Sequence, residues 1–386
     1  MLEPLQRYIG TLADAPAPAE WPYVVRSPGR INLIGEHIDY TGGLVMPAAI
    51  NHHIHFVVRP VEAPEWQLHA VDIEETFTLP LPITGRTEHL WVDYLAGIGV
   101  QFQDQGHFLP GLEIVFGGDL PRGSGMSSSA ALEGGMAYLL NELLSVGLTR
   151  PELANLCRRS SNTFLGIPSG IMDQYASLNG RAEGPIVLNC HTLESEPVKN
   201  KLRGYGLMLV NCMVSHDLSD GAYGKRVAEC NRALTAIQVK FPEVSYLSAA
   251  TESQLDAVVA TLDPTVTKRA RYVIRENDRV RRAITALEAG ASSEMGALLN
   301  ETHRGLRDEY EVSCAELDFL QQTATEVDGV AGARMMGGGF GGCTINLLRL
   351  DRFAAFREQL TQRYQQQYGL TPEFYPVEIA AGTEMI

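Results

Sequence analysis

Apolar and polar positions along the chain follow two patterns, which predict strands in some segments and helices in others. Residues 112–116, Leu-Glu-Ile-Val-Phe, are rich in β-forming side chains and predict a strand. Shortly afterwards, apolar residues recur every three or four positions, at Leu132, Met136, Leu139, Leu140, Leu143 and Leu144. This spacing is typical of a helix with one buried face. The segment between them, residues 119–132, therefore connects a strand to a helix.

The same patterns predict further elements along the chain. Val24 and Val25 indicate a strand that ends at Ser27-Pro28-Gly29, because proline and glycine interrupt strands. Residues 149–163 predict a helix. Residues 207–214 predict a strand, which a polar turn connects to another helix.

The length of 386 residues predicts about two domains. A charged, turn-rich stretch at residues 194–206 has the composition of a linker, and we place the boundary near residue 200. A shorter Ala/Pro stretch at residues 15–19 follows a predicted N-terminal helix. The predicted domains are therefore residues 1–200 and residues 201–386.

The segment at residues 119–132, DLPRGSGMSSSAAL, combines two glycines with three serines at the predicted start of the helix. Glycines let the backbone approach a ligand closely, and the unpaired N–H groups at a helix start attract an anion. This combination suits a nucleotide phosphate, although an ordinary turn that caps a helix has the same composition. It is not a Walker A loop, because no Gly-Lys-Ser/Thr sequence follows.

Four ionisable residues lie within ten positions of one another among apolar neighbours, namely Arg30, Glu36, His37 and Asp39. A solvated loop rarely interleaves charges with apolar side chains, so we expect these groups to be partly buried. Buried charges need partners or a ligand, and the hydroxyls of a sugar would supply them. An internal network of ion pairs is the alternative.

Asp173 comes shortly after Gly166-Ile167-Pro168-Ser169-Gly170 and has apolar neighbours. A carboxylate in this setting is a candidate for catalysis. The alternative is that it caps the helix that follows.

Three histidines, at residues 52, 53 and 55, suggest a metal site. However, the apolar residues among and after them alternate, which predicts a half-buried strand with His53 and His55 on its polar face. No cysteine or carboxylate cluster accompanies them, so we predict no metal site here.

Composition disfavours several classes of function. The formal net charge of −15 argues against a surface for nucleic acid or for an anionic membrane. No apolar run approaches the roughly 18 residues of a membrane span, and the N-terminal sequence lacks the pattern of a signal peptide. The six cysteines contain no Cys-x-x-Cys pair and are expected to be reduced. A cytoplasmic location follows by default.

Six ordered motifs together resemble those of the galactokinases. They are GRINLIGEHIDYTGG, LPRGSGMSSSAAL, GIPSGIMDQ, NCMVSHDLSDGAYGKR, NETHRGLRDEYEVSCAELDFL and MMGGGFGGC, and they span most of residues 24–346. The Glu-His-x-Asp-Tyr signature is specific to galactokinases and close relatives, within a broader group of kinases that also phosphorylate mevalonate and homoserine. Agreement of six motifs in order is not a chance event.

The resemblance implies a role for each residue that matches a family motif. Asp173 matches the catalytic carboxylate near the anomeric hydroxyl of galactose, and Arg30 matches the arginine that faces it. The residues that match sugar contacts are Glu36, His37, Asp39, Gly170 and Tyr223. Those that match the nucleotide site are Trp91 beside the adenine and Gly123, Ser124, Gly125, Ser127, Ser128 and Ser129 of the phosphate loop, with Ser129 or Ser128 near magnesium.

The fold that the resemblance implies is α+β, with two domains and an active site in the cleft between them. The implied reaction is ATP-dependent phosphorylation of galactose to α-galactose 1-phosphate, with Mg²⁺, by a monomer. Phosphoryl transfer needs positioning and charge neutralisation more than covalent chemistry. Asp173 would take the hydroxyl proton, or Arg30 would stabilise the alkoxide while Asp173 orients it; the sequence leaves both open.

Three positions depart from the family pattern. Ile38 replaces the usual Thr, as in galactosamine-directed relatives, which leaves open a kinase for galactosamine, N-acetylgalactosamine or another hexose. Ser169 replaces a Cys, and we expect this change to be neutral. Ser161 stands where relatives have a Glu associated with magnesium, which leaves open a non-catalytic regulator that binds sugar and ATP.

Overall fold

The computed structural model describes most of the chain, namely residues 2–12, 21–121, 123–167, 169–215 and 219–386. Its strands, in chain order, are β1 (Tyr23–Asn32), β2 (Leu44–Val45), β3 (Pro47–Val61), β4 (Glu65–Ala70), β5 (Glu75–Pro80), β6 (Gly111–Gly118), β7 (Ile186–Asn189), β8 (Ser195–Pro197), β9 (Tyr205–Ser215), β10 (Val330–Met335), β11 (Gly341–Arg349), β12 (Glu373–Val377) and β13 (Glu384–Met385).

The helices, in chain order, are α1 (Glu3–Ile9), α2 (Leu90–Gln103), α3 (Ser128–Leu143), α4 (Arg150–Arg159), α5 (Met172–Asn179), α6 (Ser219–Lys240), α7 (Glu252–Asp256), α8 (Pro264–Ala289), α9 (Ser292–Arg304), α10 (Ala315–Thr325) and α11 (Phe353–Tyr368). Two helices continue into π-helical segments, α4 into Ser160–Phe164 and α9 into Gly305–Tyr310. None of the helices described is both long enough and apolar enough to cross a lipid bilayer.

Two main sheets organise these elements, and a small one joins β2, β7 and β8. The six-stranded sheet has the order β13-β1-β3-β6-β4-β5 and is antiparallel except between β4 and β6. The four-stranded sheet has the order β10-β11-β9-β12 and is antiparallel throughout. The result is the predicted α+β fold. The domain boundary predicted near residue 200 falls between β8 and β9 and stays a prediction, since the chain returns with β13 to pair with β1.

The elements around the phosphate-loop segment are confirmed. The strand predicted at residues 112–116 is β6, and the predicted helix is α3, in which Met136, Leu139 and Leu140 are fully buried. The predicted strand at residues 207–214 is β9. The Ala/Pro stretch at residues 15–19 lies outside the described residues.

The predicted end of the first strand at residues 27–29 is wrong. β1 continues through Pro28 to Asn32, and its register against β3 shifts between Pro28 and Arg30. A proline fits here because β13 pairs only with Val25 and Arg26, which leaves one edge of β1 free beyond that point. The extension matters, because it brings Arg30 into the centre of the molecule.

The polar face predicted for His53 and His55 is covered rather than open. The two residues are 5% and 3% exposed, because Val57 on the same face of β3 packs with Leu5 and Ile9 of α1. Among the residues that the structure describes, no group of three or more histidines, cysteines or carboxylates is arranged to hold a metal ion.

Candidate active site

A pocket opens where the end of β1, the starts of α3 and α5, and the glycine-rich segment after β10 meet. It is lined by all of the residues predicted for catalysis and sugar contact and by one of the serines of the phosphate loop: Arg30, Glu36, His37, Asp39, Gly170, Asp173, Tyr223 and Ser129. The fold therefore brings these residues together, although they are far apart in sequence. Their individual roles stay predictions.

Asp173 and Arg30 form a two-point ion pair at the centre of the pocket. Arg30 Nε donates to Asp173 Oδ1 and Arg30 Nη2 donates to Asp173 Oδ2, both at 2.6 Å. Such pairs fix geometry as well as charge. Ile171, rather than Asp173, occupies the N-cap position of α5, so the helix-cap alternative is wrong.

The surroundings of this pair extend to the phosphate loop. Arg30 Nη1 donates to the carbonyl of Gly125, and Ser127 Oγ donates to Asp173 Oδ2. Burial alone would lower the pKa of Arg30, but the nearby carboxyl groups, Asp173 first and then Glu36 and Asp39, together raise that pKa above its ordinary value. Arg30 is therefore a permanent positive charge between the carboxylate and the phosphate loop.

Asp39 lies against Gly170, and the fit leaves no room for a side chain at that position. A Cβ on Gly170 would come within 1.5 Å of Asp39 Oδ2. Burial, together with the nearby Asp173 carboxylate, raises the pKa of Asp39 to about 7. Burial disfavours the ionised form of this carboxyl group, so a hydrogen bond from a ligand hydroxyl would stabilise that form strongly.

Glu36 has a buried partner that the sequence did not reveal. Arg334 of β10 is 0% exposed, and its Nη1 donates to Glu36 Oε2 at 2.7 Å. Its Nε also donates to the carbonyl of Leu33 at 3.0 Å. The available signal was a single arginine in the apolar stretch before the glycine-rich motif. The internal ion pair therefore exists, and it positions a pocket residue rather than excluding a ligand.

The phosphate loop has the backbone that its glycines predicted. Gly123 and Gly125 have φ angles of +70° and +75°, in the left-handed region that glycine adopts at little cost. Ser124 is buried and donates to the carbonyl of Pro121 at 2.7 Å. α3 begins at Ser128, so its first N–H groups face the loop. The arrangement can bind an anion without a lysine.

Ser129 and Ser161 both line the pocket, and their side-chain oxygens are possible metal ligands. Ser161 Oγ donates to Glu133 Oε1 at 2.6 Å, and Gln174 Nε2 donates to Glu133 Oε2 at 3.1 Å. Burial raises the pKa of Glu133 to about 7. Because Mg²⁺ prefers oxygen ligands and often needs few from the protein, the residues present fit that ion.

Trp91 lies outside this pocket lining, at the start of α2. Its indole Nε1 donates to Glu75 Oε2 at 2.6 Å, and its ring centroid lies 5.7 Å from that of Phe116, near the end of β6. The predicted contact with adenine stays a prediction. Pro168 and residues 216–218, which belong to two of the predicted motifs, lie outside the described residues.

Three family models match the chain. The galactokinase galactose-binding signature matches residues 16–60. The N-terminal domain of GHMP kinases matches residues 93–181, and the C-terminal domain of GHMP kinases matches residues 283–366. The matched regions contain the sugar segment, the phosphate loop with Asp173, and the glycine-rich segment.

Relatives match over almost the whole chain. A galactokinase of Clostridium beijerinckii is 37% identical over 365 residues, which are 93% of this chain and 94% of the relative. A galactokinase of Thermotoga maritima is 36% identical, and the match covers 94% of this chain and 99% of the relative. Among solved structures, galactokinase of Lactococcus lactis complexed with galactose has a TM-score of 0.90 at 36% identity, with 94% of this chain and 95% of that chain covered. Mevalonate kinase of Methanococcus jannaschii shares the fold, with a TM-score of 0.66 at 16% identity, 92% of this chain and 98% of that chain being covered.

Proposed function

This chain belongs to the galactokinase family and phosphorylates galactose with ATP, and we propose that Asp173 and Arg30 act at the anomeric hydroxyl to give α-galactose 1-phosphate. One observation supports these roles best. The hydroxyl of Ser127 already donates to the Asp173 oxygen that Arg30 Nη2 holds. A sugar hydroxyl at the same position would be oriented for attack on the γ-phosphorus.

We propose the following movements of bonds and of the proton. The anomeric oxygen forms a bond to the γ-phosphorus, while the bond from that phosphorus to the oxygen of ADP breaks. The hydroxyl proton passes to Asp173, which Arg30 orients with two hydrogen bonds. The positive charge of Arg30 also stabilises the negative charge that develops on the anomeric and phosphoryl oxygens.

The nucleotide phosphates have a separate set of contacts. We infer that the N–H groups of the loop at Gly123–Gly125 and of the start of α3 bind them. Mg²⁺, when bound, would neutralise part of the phosphate charge, and Ser129 would help to hold it. Trp91 belongs to the same proposal as the side chain nearest the adenine.

The structure does not support an argument from Ile38 for another sugar substrate. Ile38 is 0% exposed, and its Cδ1 points at Gly43, within 2.8 Å of where a Cβ there would lie. It does not line the pocket, so it gives no contact to a substituent on the sugar. Asp39 and Glu36, which do line it, are carboxyl groups that can hydrogen-bond to sugar hydroxyls. Galactose is therefore the substrate that we propose, with one chain and no nucleic acid or membrane partner, in the cytoplasm.

The test is ADP release with a panel of hexoses: galactose, glucose, galactosamine and N-acetylgalactosamine, with a sugar-free control for ATP hydrolysis. A site built to hydrogen-bond hydroxyls discriminates by several powers of ten, so we expect kcat/KM for galactose to exceed the others by about 10²-fold or more. A higher value for an amino sugar would make this chain a kinase for that sugar. Galactose binding without ADP release would identify a regulator.

A further inference from the structure

A chain of hydrogen bonds leads from the sugar segment into the C-terminal half of the molecule. His37 Nε2 lies 3.1 Å from the carbonyl oxygen of Gly338, and His37 Nδ1 lies 3.1 Å from Tyr40 Oη. Tyr40 Oη lies 2.7 Å from Tyr310 Oη, which lies 3.2 Å from Cys230 Sγ. His37 is 5% exposed and Tyr310 is 0% exposed. None of these contacts belongs to the phosphoryl transfer described above.

The chemistry of these groups determines which one donates and which one accepts in each hydrogen bond. The Gly338 carbonyl can only accept, so His37 Nε2 must carry the proton. Burial lowers the pKa of His37, so the ring is neutral and Nδ1 must accept. Tyr40 therefore donates to His37, Tyr310 donates to Tyr40, and the Cys230 thiol donates to Tyr310. The Gly338 carbonyl and the Tyr40 hydroxyl thus together hold His37 as its Nε2–H tautomer, and Tyr310 orients the Tyr40 hydroxyl.

Gly338 lies in the glycine-rich segment that faces the phosphate loop. A Cβ on Gly125 would lie 3.7 Å from the carbonyl oxygen of Met336, and one on Gly337 would lie 3.8 Å from that of Gly125. The imidazole of His37 therefore connects the segment that lines the sugar pocket with the segment that packs on the phosphate loop. A displacement of one segment would therefore strain this contact with the other.

Tyr310 is itself held from the opposite side of the pocket. Arg226 Nε donates to the Tyr310 carbonyl at 2.8 Å, and both residues are buried. Arg226 belongs to α6, the helix that also carries Tyr223 in the pocket lining. The backbone of Tyr310 is thus held by a helix that also contributes to the pocket, whereas Tyr310 itself is not part of the pocket lining.

We propose that Tyr310 and Tyr40 are positioning residues that hold His37 as its Nε2–H tautomer, which ties the glycine-rich segment to the sugar segment and makes galactose and nucleotide bind cooperatively. The proposal rests on the proposed function, because it needs both ligands in this pocket. The cooperativity should be positive. When one ligand has ordered a segment, the second ligand loses less conformational entropy on binding.

The test is calorimetric titration of galactose with and without a saturating non-hydrolysable ATP analogue and Mg²⁺. For the wild type we expect the nucleotide to tighten galactose binding by about fivefold or more. In Tyr310→Phe, loss of one hydrogen bond should reduce this ratio to about 2 or less, while galactose affinity without nucleotide stays within about threefold. Tyr40→Phe removes the bond to His37 itself and should bring the ratio to about one. Tyr364→Phe is the matched control, because that buried hydroxyl donates to the Cys212 carbonyl at 2.8 Å, outside the pocket.

Two results overturn the proposal: equal galactose affinity with and without nucleotide in the wild type, or an unchanged ratio in both Tyr310→Phe and Tyr40→Phe. Thermal unfolding of each variant verifies that it is folded. The readout is binding, so it separates this proposal from the proposed function. If the enzyme turns over but its two ligands bind independently, only the proposed cooperativity is disproved. If the ligands bind cooperatively but there is no turnover, only the proposed catalytic function is disproved.

The tautomer has a direct spectroscopic test. Two-bond ¹H–¹⁵N spectra of the imidazole rings, with His37→Gln to assign the signal, should show Nε2–H and unprotonated Nδ1 for His37 at neutral pH. The signal should change in Tyr40→Phe and stay unchanged in Tyr364→Phe. An Nδ1–H tautomer or an imidazolium in the wild type would contradict the proposed direction of the chain.

Discussion

The sugar side and the phosphate side of the pocket are built in opposite ways. On the sugar side, Glu36 and Asp173 each have an arginine partner within the protein. On the phosphate side, the loop offers backbone, and among the described residues no atom beyond the chain neighbours lies within 4 Å of where a Cβ on Gly123 would be. In the proposed function, side chains in fixed positions would therefore recognise the sugar, whereas N–H groups that any nucleotide triphosphate can use would bind the phosphates. Specificity would belong to the first region, and Arg30 would share charge neutralisation with the second.

The largest effect should come from the point where the two regions meet. Asp173→Asn removes the group that accepts the hydroxyl proton, so turnover should fall by about 10² to 10⁴. Galactose affinity should change little, because the amide keeps the shape of the carboxylate. Steady-state turnover and calorimetric galactose binding measure the two quantities, with the exposed Asp104→Asn as control. Turnover close to wild type would show that Asp173 is not at the reacting hydroxyl.

Asp39→Ala tests whether the sugar side alone sets specificity. Loss of a buried polar partner for sugar hydroxyls should lower kcat/KM for galactose by about 10² or more. The KM for ATP should be unchanged, because Asp39 lies on the sugar side with Gly170. If the ATP constant shifts as much as the galactose constant, the two regions are not separate.

The ionised carboxylate of Asp39 on the sugar side should lower the free energy of unfolding. The pKa of Asp39 is about 7 in the folded protein, above its ordinary value of 3.8. The folded state therefore binds more protons between these values, and stability falls as pH rises from about 4 to 7. Asp39→Asn removes that cost, so it should stabilise the protein by about 1–3 kcal/mol at pH 8 and hardly at all at pH 4.

Urea unfolding at the two pH values measures this difference. The exposed Asp278→Asn is the control and should show no gain at either pH. An Asp39→Asn effect of the same size at pH 4 and pH 8 would mean that its cause is packing rather than ionisation.

Gly125→Ala tests the phosphate side. The φ angle of +75° costs a residue with a side chain about 1–2 kcal/mol, so the KM for ATP should rise by about tenfold. Galactose affinity without nucleotide should stay unchanged. Gly147→Ala is the matched control, because its φ is +80° and, in the part of the chain that the structure describes, no atom of a non-adjacent residue lies within 4 Å of the added Cβ. If both variants change the KM for ATP equally, the loop does not bind the phosphates.

The smallest effect concerns the Mg²⁺ ion that we propose binds beside the phosphate loop. Ser161 is a neutral hydroxyl bonded to Glu133, so the ion should depend mainly on ATP oxygens and Ser129. We expect Ser161→Glu to reach half-maximal turnover at a severalfold lower free Mg²⁺ than the wild type. The exposed neighbour Thr163→Glu controls for added charge. Superimposable curves would mean that Glu133 already supplies the carboxylate or that Ser161 is out of reach.

The sequence predicted the phosphate side more completely than the sugar side. β6, the glycine loop and α3 are adjacent in the chain, so local spacing and turn chemistry specify them. The interior of the sugar side depends on contacts between distant segments. Arg334 and Tyr310 were not predicted, because nothing in their own neighbourhoods shows that they approach Glu36 and Tyr40. These partners explain how charges among apolar residues are tolerated.

One local prediction was wrong for a similar reason. Pro28 indicated the end of a strand, but the strand continues because its edge is free of β13 and its register shifts at that point. Edge position is a property of the whole sheet. The consequence is functional, since the residues after Pro28 place Arg30 opposite Asp173.

The central claim is that the anomeric oxygen of galactose attacks the γ-phosphorus at the Asp173–Arg30 pair. The most direct test uses galactose with ¹⁸O in the anomeric hydroxyl and follows the product by ³¹P NMR. We predict that galactose 1-phosphate forms with the ¹⁸O isotope shift throughout, because the labelled oxygen becomes the bridge to phosphorus. A phosphate ester at another carbon, or a product signal without the isotope shift, would contradict the claim.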